Sequence, residues 1–285
     1  MNTTPTHCLA YCSPAGSTAG LAQTIGHELS QQDLVPVFLN LGESDWKTRA
    51  RAVFFQEAPV FLWLGSPVYA HHPVLPVASF LDWLPLQKQQ PLALPFVTWG
   101  EVCTGTALLD MGRALEDKGF QLAGAAALPA EHSSTWMLDQ PFGAGRPDAR
   151  DHKELRILVR QTLNSLASGT LTGITSWDLD YQPETVKAFA RSIDIHTVKQ
   201  HHPGYALDQE RCTQCGTCRD QCPAGAITLD PYPVISQACF LCNNCVRFCP
   251  EEAMSVTNGD IRQRLLDMQQ QFGEKPQPRI FPHPA

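Results

Sequence analysis

The sequence predicts an α/β fold, with a doubly wound parallel sheet of five strands, followed by a small α+β module rich in cysteine. Two observations carry this prediction. In the first 170 residues, short apolar runs alternate with amphipathic stretches, the pattern of strands joined by crossover helices. After them, eight of the chain's 11 cysteines fall between Cys212 and Cys249.

Five apolar runs are the predicted strands, and several are apolar enough to be buried on both faces of a sheet. They lie at about His7–Cys12, Val35–Asn40, Val60–Leu64, Ala93–Trp99 and Leu122–Leu128. Helices fill the intervals, where apolar residues recur at helical spacing. The clearest stripes are Leu21, Ile25 and Leu29 in the first helix and Leu108, Met111 and Leu115 in the fourth. A last helix near Asp151–Leu166 completes five βα units.

The cysteine module contains two copies of one pattern. The copies are Cys212, Cys215, Cys218, Cys222 and Cys239, Cys242, Cys245, Cys249, each followed by proline. Every cysteine of the second copy lies 27 residues after its counterpart, which indicates an internal repeat. Three thiolates at C-x2-C-x2-C spacing wrap round one corner of a cuboidal iron-sulfur cluster, so a remote cysteine must complete the ligand set.

Zinc sites, disulfides and plain buried cysteines are alternatives to clusters. Zinc sites use four ligands, commonly in pairs, and three cysteines within seven residues fit that scheme poorly. Disulfides need an oxidising compartment, whereas the first residues lack the pattern of a secretory signal, so we expect a cytoplasmic protein.

The module closely resembles two-cluster bacterial ferredoxins, in which the fourth cysteine of each run binds the cluster of the other run. The resemblance implies two 4Fe-4S clusters with crossed ligand sets. One set is Cys212, Cys215, Cys218 and Cys249, and the other is Cys239, Cys242, Cys245 and Cys222.

Three loops at the carboxyl ends of the predicted strands suggest a ligand site, because open parallel sheets bind ligands there. The first, Ser13 to Thr18, opens a helix and suits a phosphate, although serine and threonine at a helix start also serve as plain N-caps. The others contain Pro67-Val68-Tyr69 and Thr98-Trp99-Gly100. From Thr6 to Ser168 the chain resembles the flavodoxin family, which implies FMN.

The resemblance to flavodoxins assigns a role to each loop. The first would bind the FMN phosphate through Ser13, Gly16, Ser17 and Thr18, and the other two would flank the flavin ring, with Tyr69 and Trp99 stacking on it. Ala15 departs from the flavodoxin pattern, so we expect one phosphate contact to be lost. We expect His71 and His72 on the surface, and Cys8, Cys12 and Cys103 as packing residues.

The predicted organisation is a flavodoxin-like domain (1–170), a connector (171–202), the two-cluster module (203–258) and a helix with a proline-rich tail (259–285). One helix, Pro183 to Thr197, is predicted in the connector, and Ile261 to Phe272 in the tail. The prolines beyond it favour an extended chain.

Charge and hydropathy limit the partners. The net charge is -7, and no apolar run is long enough for a membrane span, so we expect neither nucleic acid nor a membrane as partner. Residues 201 to 258 include six acidic residues but only three arginines. We therefore expect redox partner proteins with basic patches to dock on the cluster module.

The whole architecture resembles the fused flavodoxin-ferredoxin electron carriers of bacteria and archaea, often from anaerobes. It implies electron transfer between FMN, two 4Fe-4S clusters and a partner protein, with no catalytic triad. Two alternatives remain open. The first is a flavin-dependent reductase of a small substrate, held near Tyr69, Trp99 and a long loop containing Glu131, His132, Trp136 and Arg146. The second is a ferredoxin whose flavodoxin-like domain has lost FMN and serves for docking.

Overall fold

A mostly parallel sheet is the centre of the molecule in a computed structural model, which describes residues 5–56, 58–202, 204–256 and 261–283. The main strands are β1 (Thr6–Tyr11), β2 (Val37–Asn40), β3 (Val60–Tyr69), β5 (Leu92–Trp99) and β7 (Gly124–Pro129), with short strands β4 (His72–Pro73) and β6 (Gln121–Leu122). Strands β2, β1, β3, β5 and β7 lie side by side and parallel, which is the 2-1-3-4-5 order of flavodoxin-like folds. The predicted fold class is confirmed.

Helices cover both faces of this sheet. On one face, α1 (Ser17–Ser30) and α5 (Ala149–Ser168) pack through Leu21, Leu158 and their neighbours. On the other face lie α2 (Trp46–Phe54), α3 (Leu75–Trp83) and α4 (Ala107–Asp117). Because each sheet face is covered, the strands are buried on both sides, as their continuous apolar sequences require.

The third strand is longer than predicted. It continues to Tyr69 through the segment that the sequence analysis treats as a loop. Residues 65–67 keep their parallel pairing with β5, and Val68 and Tyr69 pair with Pro73 and His72 in a tight hairpin. The segment Pro67-Val68-Tyr69, predicted as the second flavin-binding loop, is therefore part of a strand, because its backbone is paired on both sides.

The internal repeat of the cysteine module is visible in its backbone. Helices α8 (Thr217–Asp220) and α9 (Asn244–Arg247) correspond, as do strands β9 (Ile227–Leu229) and β11 (Met254–Val256). Left-handed residues also recur at the 27-residue interval: Gln214 with Leu241, Gly216 with Asn243 and Gly225 with Glu252. Strand β8 (Tyr205–Leu207) pairs with β11, and β10 (Pro233–Ile235) pairs with β9. Each pairing joins a strand before one cysteine run to the strand after the other run, so the two copies are interlocked.

The connector contains more structure than the single predicted helix. It forms a 3-10 helix (Ser176–Leu179) and two α-helices, α6 (Glu184–Ser192) and α7 (Ile195–His201). The chain becomes extended at Ile193, and the Asp194 side chain accepts a hydrogen bond from the Thr197 amide to begin α7. This N-cap, within the predicted helix, divides it in two.

The tail returns to the flavodoxin-like domain. Helix α10 (Ile261–Phe272) packs against Val102 and Phe142, and β12 (Arg279–Pro282) pairs antiparallel with β7. The extended chain that the prolines favour is therefore an edge strand of the main sheet. Residues 203, 258 and 259, at the predicted domain borders, lie outside the described residues. Among the described residues, no helix has the length and apolar character needed to cross a bilayer.

Candidate functional site

One cleft collects nine of the ten residues predicted to bind FMN. Its lining includes Ser13, Ser17, Thr18, Pro67, Val68, Tyr69, Thr98, Trp99 and Gly100. They come together because β1, β3 and β5 end at the same edge of the sheet. The tenth, Gly16, precedes α1 with a φ of 91°, in the left-handed region that favours glycine.

The sequence analysis missed part of this lining. Pro14, Ala15, Ala130 and Ser133 also face the cleft, together with Glu131 and His132, which it places only in the reductase alternative. Residues 130–133 directly follow β7, the neighbour of β5. The rule that parallel strands end at one edge was sufficient to include them.

The phosphate end of the cleft lies at the start of α1. Gly16, the N-cap residue, has no side chain to cap the helix, so an anion at the first turn would compete only with the cap that Ser13 provides. The Ser13 hydroxyl accepts a hydrogen bond from the Ala19 amide at 2.9 Å, which is the capping role weighed above. The Thr18 hydroxyl bonds that of Thr98 at 2.8 Å, so it joins α1 to β5.

The ring end of the cleft has a polar atom that needs a partner. Trp99 is 3% exposed, and in the described part of the chain its buried indole nitrogen has no hydrogen-bond partner. An unpaired buried N–H is costly, so a ligand with a hydrogen-bond acceptor would satisfy it. A flavin, with its carbonyl oxygens and ring nitrogens, fits this requirement.

The size of the cleft sets a condition on FMN binding. The cavity volume of the cleft is about 40 Å³. Sites for small molecules usually have about 300–1,000 Å³. The cleft would therefore have to widen to hold a flavin.

His132 contributes a neutral imidazole to the cleft. Burial, and to a smaller extent Arg264, lowers the pKa of His132 to about 4. Its Nδ1 accepts a hydrogen bond from the Ser134 amide at 3.2 Å, which leaves the proton on Nε2. A Cβ at Gly100 would lie 2.6 Å from the His132 Cβ, so only glycine allows this close approach.

His71 and His72 are not the surface residues that the sequence analysis expects. His71 is 6% exposed, and its Nδ1 lies 3.2 Å from the Cys103 sulfur. Burial lowers the pKa of His71 to about 4 and raises that of Cys103 to about 12, so both are neutral at physiological pH. The turn between β3 and β4 directs both histidines under the connector, where Phe189 packs against His71.

The first predicted cluster set lines one cavity. Cys212, Cys215, Cys218 and Cys249 surround it, in the crossed combination of three cysteines from one copy and the last from the other. The Cys249 sulfur accepts a hydrogen bond from the Ala253 amide at 3.3 Å. Cys215 is exposed, so this cavity lies beside solvent.

The second predicted set lies deeper. Burial raises the pKa of Cys245 to about 12, with smaller contributions from the neighbouring thiols of Cys242, Cys239 and Cys222. Iron would override this effect, because a coordinating thiol is deprotonated outright. The Cys222 sulfur accepts a hydrogen bond from the Ala226 amide at 3.3 Å, which repeats the bond at Cys249. Hydrogen bonds from backbone amides to sulfur are one means by which proteins tune the reduction potential of a cluster.

The second set adjoins the cleft. Phe240 is 2% exposed, and its ring lies 5.8 Å from the ring of Tyr69 between centroids. Cys242 packs against the core cluster that contains Cys12 and Phe240. The Asn244 amide donates a hydrogen bond at 3.1 Å to the carbonyl of Pro14, a residue of the cleft. The module is therefore attached to the domain next to the cleft.

The surface of the module keeps an acidic excess. Arg211 pairs with Glu252 and Arg219 with Asp220, both on the exposed surface. The charges within these two pairs cancel. The charged residues that remain in the module are one arginine, Arg247, and four acids, Asp208, Glu210, Asp230 and Glu251. Glu251 lines the cavity of the first cysteine set, so the excess reaches its mouth.

Known proteins resemble the two parts separately. Residues 205–228 and 236–256 each match a family model described as a 4Fe-4S binding domain. The polyferredoxin protein MvhB of Methanothermus fervidus is 39% identical over 51 residues, a match that spans 17% of this chain and 12% of that protein.

Solved structures also resemble the chain. Rubredoxin oxygen:oxidoreductase from Desulfovibrio gigas is 16% identical with a TM-score of 0.45, over 60% of this chain and 38% of that one. A flavodoxin from the domain Archaea is 15% identical with a TM-score of 0.43, over 57% of this chain and 99% of that one.

The strand order of the main sheet identifies the first part of the chain, and the two 4Fe-4S matches identify residues 205–228 and 236–256. The clusters supply electron transfer, because a 4Fe-4S centre accepts and returns single electrons. The protein is a fusion of a flavodoxin-like domain with a 4Fe-4S module of the ferredoxin type.

Proposed function

We propose that this protein relays electrons between FMN in the cleft, two 4Fe-4S clusters and a redox partner protein. Bound FMN would supply a centre that exchanges one or two electrons, and each cluster would exchange one. In this proposal the chain consists of a flavodoxin-like domain (1–170), a connector (171–202), a two-cluster module (203–258) and a C-terminal helix and tail (259–285). Its partner is a protein with a basic surface patch.

The contact between Tyr69 and Phe240 is the observation that carries the proposal. Tyr69 lines the cleft, and Phe240 lies between the ligands Cys239 and Cys242. Their tilted rings are 5.8 Å apart, so the second cluster would be the neighbour of the flavin. The exposed Cys215 makes the first cluster the exit to a partner. The acidic residues near its mouth would attract a basic patch.

The chain's own residues would position the centres and tune their potentials. The start of α1 binds the phosphate, and Trp99 donates a hydrogen bond to the ring. Asn244 fastens the module to the Pro14 loop, which sets the distance between centres. The backbone amides of Ala226 and Ala253 donate hydrogen bonds to the sulfurs of Cys222 and Cys249 and would stabilise negative charge on them.

The docking alternative has support of its own. Ala15 removes one hydroxyl from the phosphate loop, and the enclosed cleft volume of about 40 Å³ is small. A domain without FMN would still hold the module through Phe240 and Asn244. We therefore make FMN content the first test.

The test is to purify the chain anaerobically, reconstitute it with FMN, release the flavin with acid and quantify it per chain. We expect about one FMN per chain, and reduction of the flavin should reduce the clusters as well. Absence of flavin after reconstitution leaves the docking alternative. Clusters that stay oxidised when bound flavin is reduced would contradict the relay.

Serine substitutions test the crossed ligand sets. If the sets are crossed, Cys212→Ser and Cys249→Ser damage the same cluster and give the same residual electron paramagnetic resonance spectrum. Likewise, Cys222→Ser should match Cys239→Ser. The uncrossed arrangement predicts the opposite pairing, in which Cys212→Ser matches Cys222→Ser.

A further inference from the structure

A second cavity lies behind Tyr69, between the flavodoxin-like domain, the connector and the cluster module. Its volume is about 310 Å³, within the range of sites for small ligands. Tyr69 forms a wall of both this cavity and the cleft, and Phe240 forms the wall on the cluster side.

The cavity is mainly apolar and poorly filled by the protein. Val74, Leu75 and Ala78 of the α3 region line one side, and Ile195 of α7 lines another. Helix α7 covers it without burying any of its own residues. A partly open, mainly apolar space of this size is the kind of concave site that takes a small ligand.

The polar residues of the lining restrict the ligand's charge. Asp110 and Asp194 carry carboxylates, and the nitrogens of His72 are already bonded to Asp110 and to backbone carbonyls. His72 compensates the charge of Asp110, so the carboxylate of Asp194 is left to repel anions, and the apolar walls disfavour hydrated ions. The exposed imidazole of His196 remains to bond a carbonyl or hydroxyl group.

We propose that this cavity binds an uncharged quinone ring and that the reduced clusters convert it to the quinol. The aromatic walls suit a planar ring, and Phe240, which lies between Cys239 and Cys242, forms the wall toward the second cysteine set. A quinone takes up two electrons and two protons. Clusters held by the two cysteine sets would, when reduced, supply one electron each and return to their oxidised state, while the two protons would come from water at the open side near His196. The activity does not require FMN, so it stands apart from the flavin proposal.

The experiment uses the full chain with both clusters, reduced with dithionite and freed of excess reductant under anaerobic conditions. Menadione is the quinone probe, and reoxidation of the clusters is followed by their visible absorbance in a stopped-flow instrument. Ferricyanide, an anionic oxidant, serves as the comparison because it is expected to react at the exposed first cluster. We expect the menadione rate to saturate as its concentration rises, as a bound complex requires.

Matched variants on α3 locate the site. Ala78→Phe fills the cavity, whereas Asp82→Phe adds the same ring at an exposed position of α3 outside it. We expect Ala78→Phe to lower the menadione rate constant at low quinone by at least about tenfold, a factor that corresponds to about 1.4 kcal/mol. Asp82→Phe should have little effect, and both variants should keep the wild-type rate with ferricyanide.

A second variant guards against misfolding of the first. His196→Ala changes an exposed side chain and should weaken menadione binding while iron content stays unchanged. A menadione rate that rises linearly without saturation would overturn the proposal. Equal menadione rates in wild type, Ala78→Phe and His196→Ala, at equal iron content, would overturn it as well.

Discussion

His72 should make the attachment of the connector depend on pH. Its Nδ1 lies 2.8 Å from the Asp110 carboxylate, and its Nε2 lies 2.9 Å and 3.1 Å from the carbonyl oxygens of Ala190 and Ile193. Both nitrogens face acceptors, so both contacts are hydrogen bonds only when the imidazole is protonated. The hydrogen bond to Asp110 is the main cause of the raised pKa of His72.

The sign of the effect follows from the raised pKa. The stabilisation is fully present below the ordinary value of 6.5 and is lost as pH rises through the pKa of the folded protein. The neutral ring has one N–H, so one of the two contacts is lost. A hydrogen bond to a charged group contributes about 1.5–3 kcal/mol. His72 and Asp110 are about one-third exposed, so we reduce this to about 1 kcal/mol, or roughly fivefold in a local opening equilibrium.

Native-state hydrogen exchange measures this local equilibrium while the protein stays folded and keeps its clusters. After correction for intrinsic rates, amides of α6 and α7 should open about fivefold more at about pH 9 than at about pH 6, where a histidine of ordinary pKa is mostly charged. His72→Phe should remove the pH dependence. His71 is adjacent but neutral, so it should not contribute to this pH dependence. The N-cap hydrogen bonds of Asp194 should not contribute either. Equal pH dependence in wild type and His72→Phe would refute the reasoning.

Two further predictions concern buried polar groups. Arg146→Ala leaves the fully buried carboxylate of Asp151 unpaired, so it should destabilise the chain by about 3 kcal/mol in anaerobic urea unfolding. Arg49→Ala breaks an exposed pair and should cost less than about 1 kcal/mol; equal losses would contradict this account. Trp99→Phe keeps the ring but removes the unpaired N–H of the cleft, so FMN should bind about two- to tenfold more weakly by fluorescence titration. Trp136→Phe, which removes an unpaired N–H outside the cleft lining, should bind FMN normally, and the reverse order would rule out the donor role.

The fold was predictable because its signals are local. Apolar runs mark β1, β3 and β5, and the stripe of Leu21, Ile25 and Leu29 marks α1, so alternation alone identified the sheet. The edge shared by parallel strands then gave the cleft. The cysteine repeat was equally informative, because its spacing and its left-handed turns both recur at the same interval.

Long-range contacts were not predictable in the same way. No local pattern shows that Phe240 enters the core of the first domain, or that His72 meets carbonyls of the connector more than 100 residues later. The strand at residues 279–282 was hidden by flanking prolines, which favour an extended chain but do not select its neighbour. The Asp194 cap was readable from sequence, yet the apolar spacing around it favoured one continuous helix.

The pairing of β12 with β7 changes the order in which the molecule can be completed. The main sheet receives its final strand from a segment synthesised after the whole cysteine module. Until that segment emerges from the ribosome, β7 presents a free edge, which can pair with other chains. The cysteine module is therefore synthesised while the sheet of the first domain still lacks this edge strand. A chain shortened before Arg279 should keep its clusters but aggregate through that edge, so the last strand protects the newly made protein.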